Sequence, residues 1–103
     1  MAAIDLSGKN VKPTILNQAG IGTTWQEFIL PPWARFISIS GDAGIFVAFH
    51  DAADSGAVGA TPKMSQGGGV QVEYKLSPSI NSASSAFVAA QAGTTDVDII
   101  LEG

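Results

Sequence analysis

In the segment DVDIILE, residues 96–102, Val97, Ile99 and Leu101 fall on one side of an extended chain, and Asp98 and Glu102 fall on the other. Period-two alternation suits a strand with one face in a core and one in water. A helix cannot satisfy it, because a helix returns every third or fourth residue to the same side. VQVEYKL, residues 70–76, repeats the pattern: Val70, Val72, Tyr74 and Leu76 are predicted inward, Gln71, Glu73 and Lys75 outward. Ile100 breaks the polar face of the last strand. No window along the chain sustains helical spacing. The nearest, SINSASSAF, is rich in serines that favour a loop or a single turn.

The remaining strands follow from shorter runs. KPTILNQAG reads as a first strand, and WQEFILPPW as a strand from Trp25 to Leu30 stopped at a corner by Pro31 and Pro32, which cannot donate to a ladder. RFISIS and GIFVAFH flank the turn-like GDAG and read as a hairpin. In the second run Ile45, Val47 and Phe49 share one face, and Phe46, Ala48 and His50 the other. Both faces are mostly apolar, so this strand is either covered twice or turned toward a partner. SAFVAAQAG supplies another strand. Between Asp51 and Val70 no strand is evident, although GAVGATP could hide one, and Gly67–Gly69 reads as a flexible hinge.

Short strands broken by turn signals predict an all-β, single-domain β-sandwich or jelly roll of about seven to eight antiparallel strands, with a small barrel as the remaining option. The domain is expected over residues 13–103. Residues 1–12 lack strand regularity and read as an arm that orders on a partner.

Charge narrows the partners. Only 14% of residues are charged, against about 25% in an ordinary soluble domain. Such a bland surface is easily covered by neighbouring subunits. The net charge is −4, and the five bases, Lys9, Lys12, Arg35, Lys63 and Lys75, are scattered. Neither nucleic acid nor an acidic membrane finds a basic footprint. The absence of cysteine removes disulfides, thiolate metal sites and cysteine nucleophiles. MAAIDLSGKN does not read as a secretory signal, and no apolar run reaches the ~20 residues of a membrane helix.

The stretch that most resembles chemistry is FHDAADSGAVGA, residues 49–60, with the single histidine, His50, beside Asp51 and Asp54. Counting from Asp51, an EF-hand loop would need oxygen ligands where Ala53 stands and a glutamate where Pro62 stands, so that match fails. Zinc would have to rely on carboxylates. Asp51 and Asp54 are therefore expected as turn residues, and His50 as a surface or interface group. Glu27 and Glu73 fall on predicted solvent faces, no G-x-S-x-G elbow exists, and QGGGVQV leads into a strand rather than the helix a phosphate loop requires. No catalytic residue, metal ligand or cofactor is assigned. Trp33, after two prolines, is expected to cap the core or anchor a neighbour; with Trp25 and Phe36 it also raises sugar stacking.

The runs WQEFILPPWARFISIS, IFVAFHDAADSGAVGA, VQVEYKLSPS and AFVAAQAGTTDVDIILEG together resemble small β-sandwich virion proteins of tailed bacteriophages, of the capsid decoration, cement or head-fibre type. The resemblance covers roughly residues 24–103. It implies a non-enzymatic structural protein on the exterior of a capsid or tail, made in the host cytoplasm, contacting copies of itself and a major capsid or other virion protein. It transfers no site residue. Trp33, Phe46, His50 and Ile100 are the residues read here as the candidate partner interface. A carbohydrate-binding module of a fibre or tail is the alternative.

Overall fold

The computed structural model describes residues 3–10, 13–49, 58, 63–75 and 85–103. Among them the chain forms nine strands and no α-helix: β1 (Ile4–Asp5), β2 (Thr14–Ile21), β3 (Gln26–Ile29), β4 (Phe36–Gly41), β5 (Ile45–Phe49), β6 (Met64–Gln66), β7 (Val72–Lys75), β8 (Ser85–Ala90) and β9 (Thr95–Glu102). They build a five-stranded sheet, ordered β1-β3-β8-β5-β6, and a four-stranded sheet, ordered β2-β9-β4-β7. The radius of gyration is 12.4 Å, close to the roughly 13 Å of a single domain of this length.

The alternation of the sequence explains the core. Ile37 and Ile39 on β4 and Val97, Ile99 and Leu101 on β9 face inward from the four-stranded sheet. They meet Phe28, Ile45, Val47, Ala86 and Val88 from the five-stranded sheet in one buried cluster. The all-β sandwich expected from the sequence is therefore present. The nine strands exceed the seven or eight expected, because β1 and β6 are too short to show a period. One pair, β1 with β3, is parallel, so the sandwich is not wholly antiparallel.

On β2 the register to β9 shifts by one residue between Gln18 and Ile21. Thr14, Leu16 and Gln18 lie opposite the inward residues Leu101, Ile99 and Val97, which turns Ile15 and Asn17 outward. Without the shift Ile21 would follow them. The extra residue of the bulge, with Gly20 at φ +73°, reverses the parity and returns Ile21 to the core.

The hairpin expected from RFISIS and GIFVAFH does not form. β4 and β5 lie in different sheets, and GDAG carries the chain across the sandwich. Both runs bury their isoleucines toward the same core, so they oppose each other through side chains instead of pairing through backbone. Gly41 marks the close approach: a Cβ there would stand 2.6 Å from Ile45 Cγ2. The link gives up its turn partners to neighbouring strands. Asp42 N–H donates to Asp96 O and Ala43 N–H to Thr95 Oγ1, both at 3.0 Å. Gln91 N–H donates to Gly44 O at 3.0 Å.

The glycine run also departs from expectation. Residues 67–69 form a packed turn where β6 passes into β7 in the opposite sheet. Gly69 N–H donates to Gly41 O at 2.8 Å, and a Cβ on Gly68 would lie 2.5 Å from Asp42 O. The β8–β9 link crosses at the same end, and there the Gln91 amide Nε2 lies 3.1 Å from each of Ile45 O, Gln66 O and Ser65 Oγ. The strand hidden between Asp51 and Val70 is thus β6; GAVGATP lies outside the described residues apart from Val58.

Part of the expected N-terminal arm belongs to the sandwich itself. β1 adds to the edge of β3, Leu6 N–H donates to Ile29 O at 2.8 Å, and Leu6 is 2% exposed within the core. Ile4 and Leu6 around a single Asp5 were too short a pattern to show this docking. Trp33 holds the same segment, donating Nε1–H to Lys9 O at 2.6 Å while its ring packs against the core. Two further expectations are corrected at β7. Val70 precedes the strand and is largely exposed. Tyr74 shares the inward parity of Ile37 but sits at the sheet edge, where it stacks on Phe49 at 4.4 Å and closes the mouth of the sandwich.

Candidate interaction surface

The outer face of the four-stranded sheet follows from its registers. One cross-strand row runs Ile15–Ile100–Ser38–Glu73, with Asn17–Asp98–Ser40 on one flank. On the other flank Phe36 stands between Glu102 and Lys75. The residues that face the core fix what faces out: burying Ile37, Ile39, Ile99 and Leu101 leaves Phe36, Ser38 and Ile100 outside. Ile15 is 72% exposed and Phe36 45%, while Ile100 is half-buried between them. Phe36, Ile100, Ser38, Gln71, Glu73 and Glu102 line an open depression of about 460 Å³ on this face.

Its lining is mixed, apolar at Phe36 and Ile100, polar at Ser38 and Gln71, and acidic at Glu73 and Glu102. Glu73 and Glu102 line it, and Asp98, nearby, accepts a 2.6 Å hydrogen bond from Asn17 Nδ2. Cross-strand spacing of about 5 Å makes Ile15 and Ile100 direct neighbours, so the apolar strip is continuous over two strands and extends diagonally to Phe36. Such a strip, ringed by polar groups, has the anatomy of a protein interface core.

The four residues singled out from the sequence do not converge. Ile100 belongs to this face. Phe46 lies on the outer face of the five-stranded sheet, on the other side of the molecule, with Lys63 Nζ 5.1 Å from its ring centroid. Trp33 is half-buried against the core, and His50 lies outside the described residues, as do Asp51 and Asp54. The second apolar face of β5 is covered by the chain itself: Ala48 and Phe87 are buried with Trp25 against them, its ring edge-on to Phe87 at 6.5 Å. Ile15 was not singled out from the sequence, and Phe36 was read there only as a sugar-stacking ring. For Phe36 the signal was present, since it shares parity with Ser38 and Ser40. For Ile15, flanked by Thr14 and Leu16, no parity could be read.

No group of three or more histidine, aspartate or glutamate side chains among the described residues could hold a metal. Glu27 lies on the outer face of the five-stranded sheet and accepts from Ser85 Oγ at 2.7 Å, whereas Glu73 faces out from the other sheet. They cannot flank one cleft. The Asp5 carboxyl is held below its ordinary 3.8 by hydrogen bonds from Ser7. Comparison with protein families, curated proteins and solved structures returns no match.

Proposed function

We propose that this chain is a non-enzymatic structural protein of a bacteriophage particle, of the capsid-decoration or cement kind, attached through the outer face of its four-stranded sheet. One observation carries the reading: Ile15, Phe36 and Ile100 form a continuous apolar strip in water on a chain with only 14% charged residues. Covering one such side chain contributes roughly 1.5–3 kcal/mol if burial is complete. Glu73, Asp98 and Glu102 outnumber Lys75 on that face, and with the net charge of −4 they favour a partner surface that is apolar and carries basic groups. The phage assignment itself comes from the sequence resemblance.

For the carbohydrate alternative Phe36 keeps an exposed ring, 45%, while the tryptophans do not. Stacking on a sugar needs a flat exposed ring, and both tryptophans are half-buried with their rings committed to Phe87 or to the core.

Reattachment tests the proposal. Particles lacking the protein are mixed with the wild type or with Phe36→Ser and sedimented. The wild type should pellet with the particles, and the variant should need at least about tenfold more protein, a loss of about 1.4 kcal/mol. A wild type that stays in the supernatant, or a variant that pellets equally well, contradicts it.

A further inference from the structure

A depression in the face of a sheet needs a cause, and here the cause is a small residue among large ones. Ser38 on β4, an inner strand, has Ile100 beside it on β9 and Glu73 beside it on β7. Phe36 is the outward residue before it on the same strand, with Glu102 alongside. A serine so placed leaves a hollow that its larger neighbours, together with Gln71, enclose. The volume of about 460 Å³ falls within the roughly 300–1,000 Å³ typical of sites that hold a ligand.

The chemical groups around this hollow are not used by the fold. The carboxylates of Asp5, Glu27 and Asp98 accept hydrogen bonds from Ser7, Ser85 and Asn17. Among the described residues the carboxylates of Glu73 and Glu102 accept none and pair with no cation, and the Phe36 ring meets neither another ring nor a cation. Arg35, next to Phe36 in the chain, is committed elsewhere: its guanidinium donates to Pro32 O and Ala34 O. The registers set Lys75 on the same face, across Phe36 from Glu102. Three acids, Glu73, Asp98 and Glu102, against that one base leave the face net negative.

From this we infer that the attachment partner inserts an arginine into the depression, its guanidinium lying over the Phe36 ring and donating to the carboxylates of Glu73 and Glu102. The inference rests on the attachment reading and names what the partner must supply. An apolar knob seated here would strip water from two carboxylates and give them no counter-charge, which is unfavourable. A neutral sugar could stack on Phe36 but would leave the same two charges uncompensated. A lysine ammonium is compact and strongly hydrated. A guanidinium is planar and weakly hydrated, with a fork of donors that can serve both carboxylates while its plane rests on the ring.

The test is an NMR titration of the full chain with three capped tripeptides, in which two leucines flank arginine, lysine or citrulline, the neutral isostere of arginine. The arginine peptide should shift the backbone amides of Phe36, Ser38, Glu73, Ile100 and Glu102 and reach saturation. The lysine peptide should bind at least about threefold more weakly, and the citrulline peptide at least about tenfold. Glu73→Gln combined with Glu102→Gln should reduce binding of the arginine peptide to the citrulline level. Both side chains are exposed, so amides away from the face should keep their wild-type positions in that variant. Equal binding of the arginine and citrulline peptides overturns the inference. So does an arginine peptide that shifts no amide of this face at millimolar concentration, or a methyl glucoside that saturates the same amides more tightly. Pelleting with particles separates the two readings. A wild type that attaches but ignores the arginine peptide sinks this inference alone, whereas one that binds the peptide and stays in the supernatant sinks only the attachment.

Discussion

Gly20 shows how much one residue decides. With φ at +73° it sits where a side chain is strained, and its bulge is what turns Ile21 from the solvent face to the core. Gly20→Ala is expected to cost roughly 1–2 kcal/mol, read as a lower urea midpoint with unchanged slope. Nothing lies within 4 Å of an added Cβ there, so the loss would come from backbone strain and not from a clash. At Asp5 the effect is electrostatic. The Ser7 side chain bonds the Asp5 carboxylate, Ser7 N–H adds a 2.8 Å bond to Oδ1, and together they lower the carboxyl pKa below 3.8. A depressed carboxylate stabilises the fold above its unfolded pKa, and that contribution disappears as pH falls through the folded value. NMR titration should place Asp5 below 3.8, and Ser7→Ala should move it upward.

The elements divide into those legible from sequence and those that were not. β9 was legible because its alternation is unbroken at Val97, Ile99 and Leu101. β3 was legible because Pro31 and Pro32 end it. The connections were not, since a Gly-Asp turn between two apolar runs has the same local chemistry whether the strands pair in one sheet or face each other across two. Only the burial of Ile39 and Ile45 in one cluster distinguishes the cases, and that is a tertiary fact. The same holds for Gly68, whose neighbour Asp42 is distant in sequence. Gly68→Ala should cost about 1–3 kcal/mol, because the atom it would strike is backbone and cannot swing aside. A glycine with no neighbour against it, in a mobile hinge, would show no such loss in thermal unfolding. As for the interaction surface, Ile100 was visible as the break in a polar face, whereas Ile15 needed the register to β9.

At the scale of the molecule, two faces of the sandwich are treated differently. The five-stranded sheet covers its outer apolar residues with Trp25 and Lys63, while the four-stranded sheet leaves Ile15 and Phe36 in water. Stability should follow that division. Ile99→Ala, in the core, should lose about 2–5 kcal/mol in denaturant unfolding, and Phe36→Ser should change stability by no more than about 0.5 kcal/mol. A surface residue whose loss leaves the fold intact but abolishes attachment is what a docking face requires. Cryo-electron microscopy of the intact particle, carried to a resolution that orients the sandwich, asks this most directly. The expected image has the chain on the particle's exterior with Ile15, Phe36 and Ile100 against a neighbouring protein. An image in which that strip faces solvent, or a particle that carries none of this chain, would contradict the account.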